Sequence, residues 1–208
     1  MRWVRAFTLG EILGFGLLPA TGGALVHLAT ASSSDAARAC AMYLAAVALG
    51  FGEGAVLARF QLGPLRARFA RVDRRRWVLH TGAAASVAWA LGMLGPTLDE
   101  LTPLPLAVQV TLGVIAGVLA LLSIGGVQAR LLREHAERPA RWLWANVLGW
   151  LLGVPFTFVT PSLVPDDAGP AWFAAAFAVG GGLMGLTAGV VTGFALVWMR
   201  PRQPRTRR

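Results

Sequence analysis

Ala171-Trp-Phe-Ala-Ala-Ala-Phe-Ala-Val-Gly-Gly-Gly-Leu-Met-Gly-Leu-Thr-Ala-Gly-Val-Val-Thr-Gly-Phe-Ala-Leu-Val-Trp-Met199 carries no charged side chain, and Arg200 follows it. At about 1.5 Å of rise per residue, a helix over this run is long enough to cross roughly 30 Å of hydrocarbon. Five further apolar runs lie upstream, at about 6–29, 39–59, 77–96, 104–129 and 142–163, with this one at about 171–199. The chain has 208 residues, of which 56% are apolar and only 14% charged, well outside the composition of a soluble domain. The expected fold is an all-α integral membrane six-helix bundle forming one domain over 1–208. The connecting loops are too short for a soluble catalytic domain, so function must reside in the bundle or at its rim.

The net charge of +9 is read as topology. Every basic residue is arginine. All but Arg38 fall in four places: Arg2 and Arg5, the segment Arg59 to Arg76, the segment Arg130 to Arg141, and the tail from Arg200. With six spans these places share one side of the membrane, while Asp35, Asp99, Glu100, Asp166 and Asp167 lie on the other. Arginine-rich loops remain cytoplasmic, so both termini are expected inside and nucleic acid is not an expected partner. The absence of lysine suggests a bacterium with GC-rich coding, hence a multi-pass protein of the inner membrane. Arg2 and Arg5 before an apolar run resemble a secretory signal, but that run is too long and contains Glu11; a retained first helix is expected. Trp3, Trp77, Trp142, Trp144 and Trp198 are expected at the cytoplasmic interface and Trp172 at the outer one, whereas Trp89 and Trp150 sit deeper and fill core space.

One cysteine, Cys40, excludes an intramolecular disulfide, and with the scattered His27, His80 and His135 it offers no metal-ligand spacing. No metal or cofactor is expected. No Gly-x-Ser-x-Gly turn, His-Glu-x-x-His motif or phosphate-binding loop is present, so an enzyme is the less favoured class and no catalytic residue is assigned.

The longest loop reads Gln61-Leu-Gly-Pro-Leu-Arg-Ala-Arg-Phe-Ala-Arg-Val-Asp-Arg-Arg-Arg76. Pro64 suits the opening of a short amphipathic helix with Leu65, Phe69 and Val72 on one face. Such a helix would lie flat in the headgroups, with Arg66, Arg68, Arg71, Arg74 and Arg75 attracting anionic membrane lipids; a solvated charge run explains the arginines equally well.

Internal similarity points two ways. Thr8-Leu-Gly-Glu-Ile-Leu-Gly14 matches Thr111-Leu-Gly-Val-Ile-Ala-Gly117, as in inverted repeats. Gly50-x-x-Glu53-x-x-x-Leu57, Gly125-x-x-Gln128-x-x-x-Leu132 and Gly189-x-x-Thr192-x-x-x-Leu196 suggest repeated hairpins instead. In the last helix Gly181, Gly185, Gly189 and Gly193 recur every fourth residue. A ridge without side chains lets a neighbouring backbone approach, either within the chain or in a partner, so a homo-oligomer or membrane-protein partner fits as well.

Ionisable and amide groups inside spans are costly and are therefore the best candidates for a site. Glu11 lies six residues from Arg5 and Glu53 six from Arg59, which places both roughly 9 Å deep. His80, Gln128, Asn146 and Thr192 fall at similar depths, so each helix offers one polar group to a layer that, if inward-facing, forms a chamber open or nearly open to the cytoplasm. The two glutamates are suited to binding a cation, carrying a coupling proton or pairing with His80; each of the six also fits plain interhelical hydrogen bonding. Pro19 and Pro155 are expected to kink their helices.

Gly-x-x-Gln128 with Leu131-Leu-Arg133, then Trp142-Leu-Trp-Ala-Asn-Val-Leu-Gly-Trp150-Leu-Leu-Gly153, together with Gly10-Glu11-x-x-Gly14-Phe15 and Pro19, resembles a group of small, functionally uncharacterised bacterial polytopic membrane proteins with repeated Gly-x-x-Gln and Gly-Trp-x-x-Gly helices. That resemblance implies an architecture and a bacterial origin but no activity, and Glu53 departs from it by standing where the pattern has Gln. Two functions fit the residues: a carrier or substrate-binding module for a small solute or ion with Glu11 and Glu53 at its core, or a non-transporting accessory or scaffold subunit docked through its glycine ridges.

Overall fold

The computed structural model describes residues 1–165 and 167–202, except for the side chains of Pro19, Ala20, Ala24 and His27. Asp166 and the tail arginines Arg205, Arg207 and Arg208 lie outside the described residues, as do the Pro19 and His27 side chains. The described chain is all-α: α1 (Arg2–Glu11), a π-helical turn (Ile12–Leu17), α2 (Leu18–Ala29), α3 (Asp35–Arg68), α4 (Arg74–Leu101), α5 (Leu106–Leu132), α6 (Ala140–Gly153), α7 (Pro155–Ser162) and α8 (Pro170–Trp198). Because α1–π–α2 and α6–α7 each run on as one interrupted rod, these elements form six rods. Five helices are long and apolar enough to span a membrane, over 35–68, 74–101, 106–132, 140–162 and 170–198, so the chain is a polytopic helical membrane protein.

Local chemistry sets the helix ends. Ser34 caps α3, its Oγ accepting from the Ala37 N–H at 3.4 Å, and Arg38 pairs with Asp35 at 2.5 Å in the same turn. The Asp73 carboxylate caps α4 by accepting from the Arg76 N–H at 2.7 Å, satisfying an end donor that the helix itself cannot. At the other end of α4, Asp99 accepts from the Leu104 N–H at 3.0 Å and from the Gln109 amide at 2.9 Å, which fixes the turn into α5. A proline stands in the first turn of α2, immediately after the π-helical turn, so the first rod is interrupted where a kink is expected. In the fifth rod Pro155 separates α6 from α7 at Val154.

Each rod packs against its chain neighbours, and α1 closes the circle by packing on α8. Close approaches show that the neighbours run antiparallel. Gly10 meets Leu57 while Gly14 meets Glu53, Gly50 meets Trp89 while Gly54 meets Ala85, and Gly149 meets Ala188 while Gly153 meets Met184. Ser86 adds a bond to the Val47 carbonyl at 2.8 Å across α3 and α4. The described arginine-rich segments consequently gather at one end of the ring, and Asp35, Asp99 and Glu100 lie at the other.

The segment 61–76 differs from its expected form. Pro64 does not start a new helix; α3 runs through it to Arg68, and Leu65, Phe69 and Val72 are buried in the protein core instead of facing lipid. With Leu132, Ala136, Leu196 and Met199 they plug the arginine-rich end of the ring. The chain after α8 folds back over this plug: Glu137 N–H donates to the Arg200 carbonyl and Arg202 N–H to the His135 carbonyl, both at 2.9 Å, with Ala136 and Pro201 bridged between them. Arg68 holds the end of α8 by donating to the Val197 carbonyl at 2.8 Å and the Met199 carbonyl at 2.9 Å. Trp3, Trp77 and Trp142, expected at the interface, also point inward and are buried, whereas Trp144, Trp172 and Trp198 are each at least 62% exposed.

Burial fades toward the opposite end. In α4 no residue beyond Ala85 is buried, and in α5 none before Ile124, so Val110, Val114 and Val118 stand more than half exposed. Gly10 and Gly14 press on α3, but their sequence partners Gly113 and Gly117 have nothing within 4 Å. By contrast, Glu53, Gln128 and Thr192 all face the interior, with Leu57, Leu132 and Leu196 one turn on.

A Cβ on Gly54 would lie 2.5 Å from the Ala85 Cβ and 2.8 Å from the Thr81 carbonyl, neither of which can move without displacing α4. Gly54→Val is expected to cost about 1–3 kcal/mol through overpacking. Gly117→Ala, in open space, should leave the thermal midpoint in detergent unchanged or raise it.

Candidate functional site

The interior holds two polar tiers. Nearer the arginine-rich end, Gln128 on α5 is the hub of the first. Its amide donates to the Gln61 carbonyl oxygen and to the Thr81 hydroxyl, both at 3.1 Å, while its own carbonyl oxygen accepts from the Trp142 indole N–H at 2.9 Å. These four side chains come from α3, α4, α5 and α6, so the tier ties four rods together. Asn146 donates back to the Trp142 carbonyl of its own helix at 2.9 Å. Across the ring Trp3 donates to the Thr192 hydroxyl at 2.9 Å, and that hydroxyl donates to the Ala188 carbonyl at 2.6 Å. Edge-on ring contacts of Trp142 with Trp3 at 5.3 Å and with Trp77 at 6.3 Å fill the space between.

The second tier is the carboxylate pair. Glu11, the last residue of α1, is wholly buried, and Glu53 on α3 nearly so. The register that sets Gly10 on Leu57 and Gly14 on Glu53 puts Glu53 level with Gly14, about three residues or roughly 4.5 Å further from the arginine-rich end than Glu11, and within electrostatic reach of it. Glu53 accepts a hydrogen bond from the Trp89 indole on α4. Glu11 lies over Gly185 of α8, and neither of its carboxylate oxygens has a hydrogen-bond partner among the described residues. The buried Thr8 hydroxyl and Trp150 indole N–H are likewise unpartnered, as are the Gln61 amide nitrogen, the Trp77 indole N–H and the Asn146 carbonyl oxygen. Beyond the pair, Phe15 lies 5.8 Å from Trp89 and 6.4 Å from Phe177, all three half-buried where the ring begins to open.

Of the residues expected to share a polar layer, Glu11, Glu53, Gln128, Asn146 and Thr192 face the interior. His80 does not. It is exposed on the outside of α4 and bonds the Arg76 carbonyl one turn back at 2.8 Å, so it cannot pair with the glutamates. Thr81, the next residue, occupies the inward position. Among the described residues, the buried side chains of Leu65, Phe69, Leu132 and Met199 lie between the layer and the arginine-rich end. Gln61, Thr81, Trp89 and Trp142 complete the two tiers without having been singled out as polar contributors. A signal existed for two of them: Gln61 lies two helical turns after Glu53, and Thr81 one turn after Trp77.

Gly181, Gly185, Gly189 and Gly193 pack against Glu11, Thr8, Phe7 and Trp3 of the first rod. The glycine ridge is therefore occupied by the same chain. Among the lipid-facing candidates, Arg66, Arg71, Arg74 and Arg75 are exposed at the rim, whereas Arg68 is committed to the carbonyls of α8.

Fold and interior together define a polytopic helical membrane protein with a buried polar core. No known protein family, curated protein or solved structure matches the chain.

Replacing Gln128 with Leu strands Gln61, Thr81 and the Trp142 indole. It should lower stability by roughly 1–3 kcal/mol, read from the shift of tryptophan emission on thermal unfolding in detergent. His80→Ala should move that midpoint by less than about 0.5 kcal/mol.

Proposed function

We propose that the chain is a carrier or substrate-binding module for a small solute or ion, with Glu11 and Glu53 as the charged core of its site. In this reading the first rod is a sixth span, both termini are cytoplasmic, and the protein resides in a bacterial inner membrane. The observation that carries the proposal is the wholly buried Glu11 carboxyl, unpartnered among the described residues, beside a second carboxylate. Two carboxylates in one low-dielectric tier repel each other when both are ionised, and a cationic ligand between them offsets that repulsion. A cation or a cationic solute is therefore the ligand chemistry favoured. The tightly sealed arginine-rich end and the looser opposite half favour approach past Phe15, Trp89 and Phe177. The accessory-subunit alternative loses its main argument, because the glycine ridge it would use is covered by α1.

The test is a thermal-shift series on purified protein with lithium, sodium, potassium and primary-amine chlorides, against tetramethylammonium chloride as the large-cation control. One cation should stabilise the wild type by roughly 2.7 kcal/mol at a hundredfold excess over Kd. Glu53→Gln and Glu11→Gln should each abolish the response while remaining folded by gel filtration. If both variants respond to every salt as the wild type does, the glutamates bind no ligand and the reading fails.

A further inference from the structure

At the arginine-rich rim a cleft of about 530 Å³ is lined by Arg68, Glu137, Arg138, Arg141, Arg200 and the exposed Val197–Trp198 pair. Four guanidinium groups thus face a single carboxylate, and the only ion pair among the described residues lies elsewhere, between Arg38 and Asp35. Each feature of the local backbone concentrates positive charge further. Arg138 and Arg141 flank the start of α6, whose N-terminus has no side-chain cap, so the helix dipole adds the same sign to the cleft. Cations at that end of a helix are unfavourable unless an anion joins them. Arg138 also adopts φ 52°, the left-handed region that a branched-free glycine or an asparagine tolerates better than arginine. Arg68 is fixed by its bonds to Val197 and Met199, and Arg200 is fixed by the bond its carbonyl accepts from Glu137 N–H. The cleft is therefore assembled from three separate chain segments before any ligand arrives.

We propose that this cleft binds the phosphate group of an anionic phospholipid. Guanidinium forks match phosphate oxygens in geometry and charge. Trp198 and Val197, each 66% exposed at the end of a membrane-spanning helix, supply the amphipathic wall that a headgroup and its first acyl carbons would contact. The proposal is independent of the carboxylate pair, since it concerns the opposite side of the plug.

Native mass spectrometry of the purified full chain tests it, with added phosphatidylglycerol, phosphatidylcholine or glycerol 3-phosphate as probes. Wild-type protein should retain phosphatidylglycerol in preference to phosphatidylcholine. Arg141→Gln and Arg138→Gly should each weaken that retention roughly fivefold, whereas Arg2→Gln and Arg5→Gln, exposed on the first rod, should not. Arg138→Gly also guards against misfolding: glycine suits the left-handed backbone, so this variant should lose lipid while keeping its thermal midpoint. Glycerol 3-phosphate displacing the lipid at equal concentration would leave the phosphate site standing and assign it to a soluble phosphate ester. Equal retention of the two lipids, or equal loss in Arg5→Gln and Arg141→Gln, would overturn the proposal.

Discussion

How closely the first helix can approach the last governs everything inside this bundle. A Cβ on Gly185 would sit 2.7 Å from the Glu11 Cβ and 3.0 Å from the Thr8 Cα, so any side chain there would push α1 outward. Because Gly181, Gly185, Gly189 and Gly193 carry none, Trp3, Phe7 and Glu11 reach the interior and the ring closes. Apolar burial supplies little attraction between helices already surrounded by lipid, so close packing and interhelical hydrogen bonds carry more of the association. The glycine face provides the first of these, and the Trp3–Thr192 bond at the same contact provides the second.

Once the ring is closed, its centre has to be filled, and the filling is graded along the axis. Apolar side chains plug the arginine-rich end, an amide and indole network follows, and the carboxylates come last, where the packing begins to loosen. The network satisfies most of its own groups, so it serves mainly to fix helix rotation. The glutamates are different in kind. Glu53 has one donor, Trp89, while Glu11 has none among the described residues, so these carboxyls, unlike the network, are not there to tie helices together through hydrogen bonds.

The number and nature of the helices were legible because charge-free runs of this length have few other uses. Depth was legible only in part: counting residues from Arg5 and Arg59 sets Glu11 and Glu53 level, whereas the antiparallel register of α1 on α3 puts Glu53 beside Gly14, nearly one turn further from the arginine-rich end. Helix rotation was not. Trp3, Trp77 and Trp142 stand near arginines, which suggests an interfacial belt, but their direction depends on what the neighbouring rods offer, here Thr192 for Trp3, Gln128 for Trp142 and the Trp142 ring for Trp77. His80 and Thr81 are adjacent in sequence and differ by about 100° around α4, enough to exchange outside for inside. Pro64 misled for a related reason. A proline forfeits one backbone bond, yet the flanking Leu62 and Leu65 are buried so well that α3 continues through it.

Ring closure by the two ends of the chain has a consequence for how the protein is made. Trp3 and Thr192 are 189 residues apart, so the contact that closes the ring cannot form until α8 has been made. Until then the face of α1 that carries Glu11 lacks the cover that Gly185 gives it, and the carboxyl remains open to other polar partners. The Glu11 carboxyl is therefore enclosed late in assembly, and the docking of α8 decides when it leaves the reach of polar surroundings.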